Sequence, residues 1–348
     1  MNAGYEYFID MIKAIACIFI ILIHCKFPGK CGDVFQALAR FGVPMFFAIS
    51  GRFLLPDGTF EVKDIRRVMG RKIAALLKTT FFLWLFYTVY SLLYFLNAGE
   101  TVSTWFNEKF NLFEISRLIL FNSGKIIYDY SSVFDHMWFM FALIYVYVLV
   151  FIFARFLRKW APFLVVILTS FLFFGELLQV YYPIRPFDIS ISTWYVVRNW
   201  LFVGVPFTML GFWLREKKDT FSILKNRNAG ICLVVLGIIS TLAEYCVWVV
   251  KEVYFGSFLI VLGLLIIANT MGTDKDNAVA RFGRRLSANI YYIHVFAISF
   301  LSLLLDLFYP DVLGYDLYFW IKPLLVIMFT IFISLLMYLF QSNIIRKS

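Results

Sequence analysis

Lys13 and His24 lie in one apolar segment with ten residues between them, and Asp10 precedes Lys13 by three. Eleven helical steps are about three turns, so the ammonium and the imidazole share a face, about 16 Å apart along the axis. Asp10 falls on the same stripe. Polar groups on an apolar helix are costly in lipid, so this stripe faces a protein interior or a wet cavity and marks a candidate site. An imidazole there takes or gives a proton near neutral pH, and a lysine–carboxylate pair supplies fixed charge beside it.

The elements that position these residues follow from composition. The chain has 348 residues, 62% of them hydrophobic, with a mean hydropathy of +0.81. Apolar runs of about 20 residues have the length that crosses a bilayer. Ten such runs lie near 8–25, 34–55, 73–96, 134–157, 161–182, 196–214, 229–250, 253–271, 287–308 and 318–341. They predict an all-α integral membrane protein, a single domain over residues 1–348 with about ten transmembrane helices. The runs are too long and too uniformly apolar for the strands of an outer-membrane barrel. Leu112–Phe121, in the longest gap, suits an interfacial amphipathic helix. No Lys or Arg precedes the first run, so it is expected to be retained as a span and not cleaved as a signal.

The net charge of +10 does not point to nucleic acid, because the basic residues alternate by loop. They gather at Lys63–Lys78, Arg155–Lys159, Arg215–Arg227, Lys275–Arg285 and Arg346–Lys347, and thin out between. This is the positive-inside pattern, and it places both termini in the cytoplasm. On that topology Lys13 sits in the inner half of the first span and His24 at its outer end. Asp135 and His136 open the fourth span on the outer side, and His294 lies about 10 Å into the ninth from the cytoplasm. Each histidine also fits an interfacial anchor or a helix–helix hydrogen bond. In the second span Pro44 should bend the helix, Gly42 and Gly51 permit close approach, and Ser50 can hydrogen-bond across helices. Arg66, Arg67, Arg71 and Lys72 either hold their loop in the cytoplasm or bind an anionic cytosolic cofactor, since arginine pairs well with phosphate. Arg198 and Asn199 open the sixth span, where the arginine either snorkels or contacts an anionic or sugar-like substrate. Of the five cysteines, Cys25 and Cys31 are the two that could meet outside. No zinc-type spacing occurs, so no metal is expected.

At these residues the chain resembles the membrane acyltransferase 3 family of bacterial O-acyltransferases. The family's first-span hallmark is an arginine, ten residues, then a histidine, matched here by Lys13 and His24, with Asp10 as in a lysine-bearing branch. Phe46-Phe47-Ala48-Ile49-Ser50-Gly51 resembles the second-span segment ending in Ser-Gly. The cations before the third span resemble the basic motif associated with the acyl-CoA donor, which implies that role for Arg66, Arg67, Arg71 or Lys72. Asp135-His136-Met137-Trp138-Phe139 resembles the His-x-Trp-Phe opening of the fourth span, and Tyr292-Ile293-His294 a signature near the end. The resemblance implies a multi-pass protein of the cytoplasmic membrane, with the lipid bilayer and an extracytoplasmic glycan or glycolipid as partners. The implied reaction moves an acyl group, usually acetyl, from cytosolic acetyl-CoA to a glycan hydroxyl. His24 is then the general base, Lys13 and Asp10 pair, and Asp135 or His136 orients the base or the acceptor. Ser50, Trp138, Arg198 and Asn199 are candidate acceptor contacts. A wet passage from Lys13 to His24 is expected on this reading. The rival is a transporter or exporter of glycan or a small amino acid, which a helical bundle with buried His and Lys also suits.

Overall fold

A computed structural model describes residues 6–128, 136–181, 198–248, 251–271, 276–309, 311 and 315–347. Asp135 lies outside the described residues. The described residues form helices and no strand. In chain order the α-helices are α1 (Tyr7–His24), α2 (Gly29–Ala39), α3 (Gly42–Arg52), α4 (Val62–Asn97), α5 (Val102–Lys109), α6 (Leu112–Phe121), α7 (Trp138–Ile152), α8 (Leu157–Tyr181), α9 (Val205–Glu216), α10 (Arg227–Trp248), α11 (Phe255–Thr270), α12 (Ala278–Phe308) and α13 (Asp316–Lys347). Among the described residues seven helical stretches are long and apolar enough to cross a membrane. Trp138–Ile152 and Phe255–Thr270 are apolar but shorter. Helix length alone therefore supports seven spans among the described residues and does not confirm the expected count of about ten.

Apolar runs do not mark where a helix begins or ends. The bend expected at Pro44 is realised as a two-residue turn at Arg40–Phe41 between α2 and α3. Proline's ring clashes with the carbonyl four residues upstream, which is that of Arg40. Pro206 stands in the first turn of α9, where proline is tolerated. The turn before it, Trp200–Gly204, is π-helical.

The chain divides into two compact units, Met1–Phe46 with Lys218–Ser348, and Phe47–Lys217. In the first, α1 packs on α12, α12 on α13, and α10 on α11. The α1–α12 crossing is close because residue 283 is glycine: a Cβ there would lie 1.8 Å from the Asp10 carbonyl oxygen. Cys17, Ile21 and Cys25 meet Leu286 and Ile290 of α12 and Val326 of α13 in one buried apolar cluster.

In the second unit α4 packs on α7, and α8 on α9. The end of α3 crosses α9 through two glycines. A Cβ at Gly51 would lie 1.8 Å from the Thr208 carbonyl oxygen, and one at Gly211 equally close to that of Ala48. The expected amphipathic helix is present as α6, with its apolar face turned outward. Leu112, Phe113 and Leu120 are 82%, 67% and 61% exposed while Glu114 is buried. That arrangement suits a helix lying against lipid. Glu114 is held inside by Arg117, at 3.3 Å, and by the Lys125 backbone N–H, which donates at 2.6 Å.

Gly211→Leu should force α3 and α9 apart and cost about 3 kcal/mol or more by overpacking. Gly70, whose Cβ would meet nothing nearer than a Phe151 ring carbon at 4.0 Å, should accept alanine. Thermal unfolding of the purified protein in detergent checks both, with the midpoint lowered in the first variant and retained in the second.

Candidate active site

The first unit positions Asp10, Lys13 and His24 on α1. Asp10 is 5% exposed. One of its oxygens accepts from Lys13 Nζ at 2.9 Å and the other from Arg284 of α12 at 3.3 Å. Arg284 also bonds Asp276, at 3.1 and 3.2 Å, and lies over the Tyr7 ring. The carboxylate thus sits between two cations, and α12 meets the Asp10–Lys13 end of the stripe with charge.

At the other end of the helix His24 is half-buried, and its ring centroid lies 5.2 Å from that of His294, with the planes tilted by 49°. His294 is fully buried, and its Nδ1 lies 3.2 Å from the Ile290 carbonyl oxygen and 2.9 Å from that of Tyr291. The apolar cluster of Cys17, Ile21, Cys25, Leu286, Ile290 and Val326 fills the seam between these two polar ends. The wet passage expected along this stripe therefore does not run through the α1–α12 seam. Cys25 is buried in that cluster while Cys31 is exposed, and both are free thiols.

In the second unit the four candidate donor-binding cations separate. Lys72 turns inward, donates to the Phe53 carbonyl at 2.6 Å and stands over the Tyr147 ring. Tyr147 in turn hydrogen-bonds Ser50. Arg66 donates to the carbonyls of Phe151 and Ile152 at the end of α7, a cation on the negative end of a helix dipole. Arg67 pairs with Asp64 at 3.3 Å on the surface, and Arg71 is exposed. Arg215 donates to the Arg52 carbonyl at 2.7 Å and bonds Asp57, while Arg158 bonds Glu216 and the Thr59 carbonyl. Two arginines thereby clamp the turn that follows α3, beside Lys72.

His136 is buried edge-on against the Tyr87 ring at 4.8 Å. The Arg198 guanidinium lies 5.5 Å over Trp138, whose other neighbours include Phe47 at 5.8 Å. The Asn199 side chain accepts from the N–H groups of Leu201 and Phe202 and caps the π-helical turn. Asn122, with a left-handed φ of 45°, donates to the Trp138 carbonyl and accepts from the Trp200 N–H, joining the starts of α7 and that turn. Among the described residues no three His, Cys, Asp or Glu side chains gather as a metal site.

Sequence reasoning passed over Arg284, Arg215, Tyr147 and Asn122, and kept His294 outside the site. Arg284 and Arg215 were visible only as topological charge. Asn122 carried a local signal, Asn-Ser-Gly directly after an amphipathic helix.

Asp10→Asn should leave Lys13 and Arg284 without the charge they share and cost about 2 kcal/mol, after discounting for the partial exposure of both cations. Lys13→Met leaves Asp10 paired with Arg284 and should cost less than about 1 kcal/mol. Thermal unfolding of the two variants side by side reads the order.

A family profile described as an acyltransferase domain matches residues 6–339, nearly the whole chain. No protein of curated function and no solved structure matches it. The matched span takes in both compact units, the ion-paired stripe of α1 and the paired histidines at its end, and so this multi-pass helical membrane protein belongs to the acyltransferase 3 family.

Proposed function

We propose that this acyltransferase is an O-acyltransferase that moves acetyl from cytosolic acetyl-CoA to a hydroxyl of an extracytoplasmic glycan, with His24 as general base. The observation that carries the reading is the placement of His24. It is a half-buried imidazole at the end of an apolar helix that is ion-paired at its other end, within a chain of this family. The positive-inside pattern favours an outward His24 and an inward Lys13.

In the proposed reaction the acceptor O–H proton passes to His24 as the oxygen attacks the thioester carbonyl. The C–S bond then breaks, and the departing thiolate takes the proton back from the imidazolium. On the cytosolic side Arg67 and Arg71, four residues apart and exposed, offer a pair of guanidinium groups for the donor's phosphates. Arg66 is engaged by α7, and Lys72 serves the interior with Tyr147 and Ser50. Lys13 is the fixed charge that Asp10 orients. In this reading the acyl route runs along a face of α1 other than the one against α12, a choice supported by the apolar packing of Cys17, Ile21 and Leu286 in that seam. Trp138, Arg198 and His136 remain candidate acceptor contacts, whereas Asn199 acts through the turn it caps.

Transfer from labelled acetyl-CoA to glycan, measured with protein in vesicles, tests the reading. His24→Ala should lower turnover at least about 100-fold and leave donor binding intact. Arg67→Ala with Arg71→Ala should raise the donor KM with little change in kcat. Full transfer by His24→Ala would remove the base, and glycan crossing the vesicle without CoA would favour the carrier reading.

A further inference from the structure

We infer that a cleft between α7, α8 and α9 holds one acyl chain of an anionic phospholipid, with the lipid phosphate against Arg155 and Lys159. The cleft has a volume of about 360 Å³, and its lining contains no charged, amide or hydroxyl group. A site for a polar ligand carries a few convergent polar groups that fix its orientation, so this lining selects hydrocarbon. Val146 and Val150 of α7 and Val205 and Met209 of α9 line it from the buried side, whereas Phe153, Phe156 and Trp160 stand exposed at its rim. Along the α8 wall, Leu157 to Leu168 is eleven helical steps, about 16 Å of rise. That is close to half of a hydrocarbon core of about 30 Å, the depth of one leaflet. Phe163, Ile167 and Phe171 of the same helix are also exposed, so α8 presents an apolar face to lipid beside the cleft.

Charge complementarity selects the headgroup. The exposed rim and three cations share residues 153–160. Arg158 is engaged by Glu216 and the Thr59 carbonyl. Arg155 and Lys159 are exposed, four residues apart, and neither has an ion pair among the described residues. Trp160 adds an amphipathic ring of the kind that settles at headgroup level. Two cations at the mouth of an apolar cleft, at the end that the positive-inside pattern makes cytoplasmic, match an anionic phosphodiester that carries chains. A long-chain acyl-CoA also joins phosphate to hydrocarbon. The exposed apolar face of α8 favours the phospholipid, which enters sideways from the bilayer, and the acetyl group of the proposed donor is far too short to fill a cleft of this depth. The inference stands apart from the role of His24.

The test is native mass spectrometry of the purified full chain in non-ionic detergent, titrated with phosphatidylglycerol or with phosphatidylcholine of the same chains. We expect one phosphatidylglycerol to bind about tenfold or more tightly than phosphatidylcholine. Arg155→Gln with Lys159→Gln, both on the surface, should erase that preference and leave the weaker, chain-dependent binding. Leu164→Trp, which places a large ring in the cleft, should lower affinity for both lipids about tenfold or more. Equal affinity for the two lipids in the unaltered protein overturns the inference without recourse to any variant. A preference that survives the double substitution, or full affinity in Leu164→Trp, overturns it as well. Displacement of the bound lipid by an equal concentration of palmitoyl-CoA would assign the cleft to a donor chain and equally end the inference.

Discussion

A lysine, an aspartate and a histidine on one apolar helix must each find a polar partner inside the protein, because lipid offers none. In this chain one neighbouring helix, α12, supplies partners at both ends of α1. Arg284 completes the charge balance of Asp10 at 3.3 Å, and His294 stands beside His24 at 5.2 Å. Between these ends Gly283 brings the two backbones together, and Cys17, Ile21, Leu286 and Ile290 close the seam. The registry of α1 on α12 is therefore set three times, by an ion pair, by a glycine contact and by an imidazole pair. A shift of one residue along the helix, about 1.5 Å with a turn of about 100°, would break all three at once.

The second unit applies the same economy with different chemistry. Gly51 and Gly211 let the end of α3 touch α9 at backbone distance. The turn that follows is then held by Arg158 and Arg215 through the carbonyls of Thr59 and Arg52. Lys72 is presented next to this clamp with Tyr147 and Ser50. Asn122 performs a related task at the start of α7, where one side chain satisfies backbone groups of Trp138 and Trp200. Polar side chains in this unit spend most of their hydrogen bonds on backbone groups that irregular segments would otherwise leave unpaired in an apolar surround.

Much of this was legible in the sequence. The stripe of Asp10, Lys13 and His24 followed from the helical period, and the Asp10–Lys13 pair is present as expected. The limits of α6 at Leu112–Phe121 also agree with the hydropathy reading. Two kinds of information were not legible. Hydropathy marks where the chain is apolar and not where a helix ends or changes type, so the turn at Arg40–Phe41 and the π-helical stretch at Trp200–Gly204 were hidden within continuous runs. Pairing between segments far apart in the chain carries no local signal. Arg284 looked like one more cytoplasmic cation, and His294 like a solitary buried histidine, until α12 was laid against α1. The basic cluster illustrates the same point: four cations within seven residues point to four different environments once α4 is built.

The central claim is that a single imidazole at position 24 takes the acceptor's proton. Its most direct test is the rate of acetyl transfer by His24→Ala as a function of added small azoles. The account requires a line that starts near zero, rises with azole concentration and steepens with azole basicity. A line that starts at the wild-type rate, with no azole present, would contradict it.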